Sequence, residues 1–176
     1  DIADHQKERY EKRIEQIEAE NDALKSRQDI IQADLDLLEA SGGIELEGMY
    51  QELIDLSKQQ MNLYEEEAAA ARDRMSEVEA GSTEYYQLES KINDCTQSIK
   101  ECQKEQSEWQ ETIKRLPIER IQKYINMLQN IKQDLQNFID EQNSLGISTT
   151  VDQYKQLMDI SQKEIDKLLE QQKKLS

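Results

Sequence analysis

The residues able to carry chemistry are few and widely separated. His5 is the only histidine, and it stands in the charged stretch DIADHQKERYEKR. Nucleophilic catalysis needs a base beside the nucleophile, so a Ser or Cys triad is excluded on composition. Cys95 and Cys102 are seven residues apart on one predicted helix. That is about 10.5 Å of axis, too far for a mutual disulfide. Both are expected to pack as small hydrophobes, and free thiols imply a reducing compartment during assembly. A metal site would need thiolates or imidazoles from a second copy. Carboxylates are abundant, as in Glu65, Glu66 and Glu67, but acid and base work needs a partly dry cleft, and these read as a solvated face. Trp109 reads as core rather than as a ligand-stacking ring, and Tyr85 with Tyr86 carries no assignment. Neither GxxxxGK[ST] nor GxGxxG occurs, so nucleotide chemistry has no foothold. The expectation is no enzyme, no cofactor and no metal.

Composition narrows the class further. The 176 residues are 36% hydrophobic, 5% aromatic and 34% charged, with five Gly and one Pro. This is too polar for a large compact core and too poor in Gly and Pro for a flexible linker, so persistent helix is expected. The net charge is −16, with −6 over residues 1 to 40, −7 over 41 to 80, −2 over 81 to 116 and −1 over 117 to 176. Such acidity argues against direct binding to nucleic acid or an anionic membrane. The longest uniformly apolar run is Ala68 to Ala71, far below the ~20 residues that span a bilayer. The chain opens with neither an initiator Met nor an apolar signal region and reads as a segment of something longer.

Few breaks interrupt the helical pattern: SGGIELEG at 41–48, AGS at 80–82 with Gly81, LP at Leu116 and Pro117, and LGISTT at 145–150. They predict five helices, at about 4–40, 49–79, 83–116, 118–144 and 151–175. The first three form one unit (1–116) and the last two a partial second unit (117–176). Gly42, Gly43 and Gly146 suit C-terminal positions with positive φ, Ser82 or Thr83 can cap, and Pro117 suits a first turn.

Each segment carries an apolar seam with alternating three and four spacing, the requirement for a stripe that stays against a neighbour. The first runs Ile14, Ile17, Asn21, Leu24, Gln28, Ile31, Leu35. The second runs Tyr50, Ile54, Ser57, Met61, and the third Leu88, Ile92, Cys95, Ile99, Cys102, Gln106, Trp109, Ile113. The fourth carries Ile121, Ile125, Leu128, Leu135, Ile139, and the fifth Tyr154, Met158, Ser161, Ile165, Leu168. Leu53, Leu56, Leu63, Met127, Ile131 and Phe138 widen the stripes, implying two neighbours per helix. The polar members Asn21, Gln28, Ser57, Gln106 and Ser161 cost stability but can fix register. The fold class expected is all-α: antiparallel coiled-coil hairpins or an elongated three-helix bundle array of spectrin-like topology, self-associating through its seams.

The chain also repeats itself. A shift of 104 residues superposes 14–66 on 118–170 without a gap and with 12 identities, among them Leu24 on Leu128, Gly42 on Gly146, Tyr50 on Tyr154 and Ser57 on Ser161. The shift is not a multiple of seven, so heptad bias alone does not produce it.

Two runs, WQETIKRLPIERIQKYINMLQNIKQDL from Trp109 and LGISTTVDQYKQLMDISQKEIDKLL from Leu145, resemble the helical body of tail tape measure proteins of long-tailed phages and prophages of Gram-positive bacteria. The first copy departs from this pattern at Arg13, in place of Pro117, and at 47–49. The resemblance implies a ruler that sets tail length, with tail tube and tail assembly proteins as partners. It implies the virion tail as the site of action, after assembly in the bacterial host cytoplasm. The rival expectation is a spectrin-like or other cytoskeletal scaffolding repeat, cytoplasmic and mediating protein–protein interaction. Fully stretched as helix the segment would reach about 260 Å, against ~50 Å as a bundle.

Overall fold

In the computed structural model, which describes all of residues 1–176, the chain is entirely helical. Its elements are α1 (Ile2–Leu38), a 3-10 turn (Glu39–Ser41), α2 (Glu45–Met75), α3 (Thr83–Ser144) and α4 (Val151–Leu175). No helix is long and apolar enough to cross a membrane. The chain divides into two compact units, Asp1–Ile113 and Lys114–Ser176, and α3 contributes to both.

The first unit is a three-helix bundle of α1, α2 and the first half of α3. Pairing of Arg27 with Glu52 and of Arg13 with Glu66 runs α2 antiparallel to α1. Pairing of Glu67 with Lys91 and of Arg74 with Glu84 does the same for α3 against α2. The core is drawn from all three helices: Ile14, Ile17, Ile31 and Leu35; Leu46, Leu53, Ile54 and Ala71; Leu88, Cys95 and Cys102. Each large side chain buried this way contributes roughly 1.5–3 kcal/mol. α2 buries the most residues of the three, and on it Leu53, Leu56 and Leu63 are all covered.

The second unit is a hairpin of the second half of α3 and α4. Phe138 meets Tyr154 at a ring distance of 4.5 Å, Lys132 reaches Gln162, and Gln172 reaches Gln122 and the Ile118 carbonyl. With two helices rather than three, only Ile125, Ile139, Val151 and Ile165 are fully buried.

The turns follow from local chemistry. Gly146 (φ 72°) closes α3: its N–H donates to Asn143 O, and the Ile147 N–H donates to Gln142 O. This pair of bonds satisfies two of the carbonyls a helix end leaves open. Gly42, its repeat equivalent, ends the 3-10 turn at φ 63°. Ser82 caps α3, its Oγ accepting from the Tyr85 N–H at 3.2 Å.

Four expectations need correction. There are four α-helices rather than five, because Pro117 lies inside α3 and does not break it. A mid-helix proline removes one donor, here the bond to the Ile113 carbonyl, and costs about 3 kcal/mol. The helix continues because both flanks are held by packing, with Ile113, Leu116 and Ile118 all half-buried. Gly43 is not in the left-handed region; that role falls to Gly42 and, in the next turn, to Gly81 at φ 84°. α2 begins at Glu45, so Gly48 sits within it, because Leu46 is fully buried and pins the first turn. α2 ends at Met75 rather than near residue 79, where Arg74, paired with Glu77 and Glu84, anchors the turn.

Replacing Pro117→Ala should therefore raise stability by about 1–3 kcal/mol, because it restores the missing donor within a continuous helix. Urea titration followed by circular dichroism measures this, and a neutral or destabilising effect would mean that Pro117 starts a separate helix.

Candidate functional site

The polar groups most removed from water form layers inside the first unit, at positions where α2 and α3 face each other. One ionic layer is built around Lys91 of α3. Its Nζ lies 2.9 Å from Glu67 Oε1 on α2 and 3.3 Å from Glu18 Oε1 on α1, so one ammonium ties all three helices together. Burial alone would lower the Lys91 pKa, but the hydrogen bonds and charges of Glu67 and Glu18 overcome it and leave the ammonium above its usual range. Cys95 sits beside this layer. Burial first, then the Glu67 carboxylate, pushes its thiol up to about 11. Tyr10 is likewise raised, chiefly by burial.

A second ionic cluster closes the α2–α3 turn. Arg74, only 7% exposed, donates to Glu84 Oε1 at 2.9 Å and to Glu77 Oε2 at 3.1 Å. Burial opposes the charge, and the two carboxylates raise the guanidinium pKa in spite of it. A neutral layer lies nearer the other end. Ser57, fully buried, donates to the Cys102 carbonyl at 3.4 Å and accepts from Gln106 Nε2 at 3.1 Å; the same amide reaches Met61 Sδ at 3.0 Å. The Cys102 thiol is also raised, by burial. Protonated, buried thiols are poor nucleophiles and poor metal ligands.

Two polar seam residues of α1 are incompletely satisfied. Asn21 is 5% exposed with Oδ1 unpartnered, and half-buried Gln28 has Nε2 unpartnered. A buried polar atom left without a partner costs about 1–3 kcal/mol.

Of the seam residues named from the sequence, Ile14, Ile17, Ile31, Leu35, Tyr50, Ile54, Leu88, Cys95, Cys102 and Ile165 are buried. Leu24, Met61, Ile92, Ile99, Trp109, Ile113, Ile121, Leu128, Leu135, Tyr154 and Leu168 are half-buried. The acidic triplet needs correction at one position. Glu65 and Glu66 are exposed, but Glu67 is 8% exposed and ion-paired, because it faces Lys91. Ala68, seven residues after Met61, continues the α2 seam beside Glu67 and is the available signal, but Lys91 lies 24 residues further along the chain. Stripe width misled elsewhere: Met127, Ile131 and Phe138 are exposed at 57%, 44% and 36% rather than covered by a second neighbour.

The concavities include open grooves between helices. One of about 340 Å³ is lined by Lys7, Tyr10, Glu11, Glu84, Gln87, Leu88 and Lys91. No cluster of three or more His, Cys, Asp or Glu side chains is arranged to hold a metal ion. The arrangement can fix helix register. Lys91, Ser57, Gln106 and Arg74 each meet their partners in one alignment of the helices, so a slip of one turn would strand buried charge. Comparison with protein-family models, with curated proteins and with solved structures returns no match.

Two outcomes follow. The folded state holds protons on Cys95, Lys91 and Tyr10 more tightly than the unfolded chain does. The unfolded chain therefore releases them first, and stability falls as pH rises. For Cys95 this window runs from the ordinary 9.0 to about 11. Urea midpoints measured across it should decline, and Cys95→Ala should flatten the decline; a midpoint independent of alkaline pH would contradict the layer. Separately, Asn21→Ile, which copies Ile125 at the equivalent repeat position, should raise stability by about 1–2 kcal/mol and the melting temperature by several degrees. Calorimetry that found a loss would mean that Asn21 is satisfied.

Proposed function

We propose that this chain is a non-enzymatic, structural coiled-coil segment of a tail tape measure protein, setting tail length and organising assembly of the tail tube. Its partners would be tail tube and tail assembly proteins, in the virion tail after assembly in the host cytoplasm. The resemblance over Trp109–Leu175 motivates this reading. The observation that supports it best is the unbroken 62-residue α3. A chain that keeps one helix running through a proline, and from one unit into the next, favours axial continuity over a closed domain. The charged exterior, 12 basic against 29 acidic residues over 1–113, disfavours nucleic acid as a direct ligand. In this reading the bundled form is a storage or assembly state, and the helices open to span the tube.

The same continuity favours a second reading. A third helix that runs on as the first helix of the next unit is the topology of spectrin-like scaffolding repeats, and Pro117 does not interrupt it here. The readings part at the parent gene's neighbours: tail tube and tail tip genes for the ruler, an animal multidomain context for the scaffold.

An in-frame deletion of this segment from the parent phage should shorten tails by about 260 Å, at 1.5 Å per helical residue. Electron micrographs of tails shortened by only ~50 Å would show that the bundle itself is the working form, and unchanged tails would refute the ruler.

A further inference from the structure

The second unit carries an apolar face that its own two helices do not cover, and the internal repeat identifies it as a feature of this unit alone. Under the 104-residue shift, Glu20, Ala23, Arg27 and Asp34 of α1 become Tyr124, Met127, Ile131 and Phe138 of α3. Positions that are charged or small in the first unit are thus apolar in the second, and there they are exposed by 56%, 57%, 44% and 36%. On α4 the contrast is one of burial. Leu53 and Leu56 are 1% and 7% exposed, and their equivalents Leu157 and Ile160 are 48% and 62% exposed. At 100° per residue, measured from the buried positions of each helix, the α3 stripe and the α4 stripe lie on the same side of the antiparallel hairpin. Leu175, 51% exposed, extends that side.

We propose that this face is a dimer interface: the 114–176 hairpin pairs with the same hairpin of a second copy of the chain, making a four-helix bundle across a two-fold axis. Charge favours a copy as the occupant. Residues 114–176 hold 10 basic and 9 acidic residues, net +1, whereas residues 1–113 hold 12 and 29, net −17. Two hairpins, each of net charge +1, can therefore approach without strong repulsion. Each stripe also has both signs near it in sequence, Lys123 and Asp134 on α3, Glu164 and Lys167 on α4, which suits a surface that must complement itself. The seven exposed side chains together offer roughly 650 Å² per copy, at about 190 Å² for a large side chain. Doubled, that falls in the range of about 1,200–2,000 Å² that specific interfaces bury. A two-fold axis perpendicular to the helices sets the α3 stripe of one copy against the α3 stripe of the other and α4 against α4, each pair antiparallel, so the whole face is used at once.

Sedimentation equilibrium of the full 176-residue chain tests this. At about 100 µM, well above a micromolar Kd, the mass should be twice 20.6 kDa. The double variant Ile131→Glu/Ile160→Glu should sediment as a monomer with its helical circular dichroism intact, since both positions are exposed. Tyr124→Lys/Leu157→Lys should behave the same way, and stands in if the first pair loses helix. The control Ile30→Glu/Leu37→Glu, at the exposed apolar positions of α1 (62% and 80%), should remain a dimer. The proposal is overturned if the wild-type chain is monomeric or larger than a dimer, if the hairpin variants stay dimeric, or if the α1 control dissociates as fully as they do.

Discussion

Everything in this chain depends on narrow apolar stripes finding other stripes. With 34% of residues charged and 36% hydrophobic, no helix here has enough apolar surface to be stable alone, and helical propensity contributes little beyond that. Stability comes from lateral pairing, and the three-helix unit covers more of its stripes than the two-helix hairpin does. α2, with two neighbours, buries thirteen residues including Glu67 and Arg74. α4, with one neighbour, buries only Val151 and Ile165. The same repeat therefore yields a filled bundle in one place and a half-covered hairpin in the other.

Polar layers supply what apolar stripes lack, which is a single alignment. Leu on Leu is nearly as good one heptad along, whereas Lys91 between Glu67 and Glu18 is satisfied in only one register. The cost is visible at Asn21 and Gln28, whose side chains do not find all their partners. At the repeat position of Asn21 the second unit has Ile125, 1% exposed. The hairpin has apolar contact at that position, and its polar register bonds are those of Lys132 to Gln162 and of Gln172 to Gln122 and the Ile118 carbonyl.

The helical class was legible from the spacing of residues such as Ile54, Leu88 and Cys95, and the turns at Gly42 and Gly146 from glycine's tolerance of positive φ. What was not legible had tertiary causes. Pro117 reads locally as a helix start, yet packing of Ile113, Leu116 and Ile118 on both sides outweighs one lost hydrogen bond. Glu67 reads as part of a solvated triplet, yet its partner lies a helix away. Gly48 reads as a breaker, yet the burial of Leu46 carries the first turn of α2 past it. Met127 and Ile131 read as second-neighbour contacts, and the neighbour is not among the chain's own helices.

The continuity of α3 is the central claim, since it fixes the helix count and joins the units covalently through regular structure. Backbone hydrogen exchange at Ile118 and Glu119 tests it most directly. Inside a continuous helix their N–H groups donate to carbonyls four residues earlier and exchange slowly, like those of Ile121 and Gln122. If a new helix began at Pro117, Ile118 and Glu119 would be first-turn donors without intrahelical partners and would exchange at the rate of an exposed chain, whereas Arg120 would still donate to the Leu116 carbonyl.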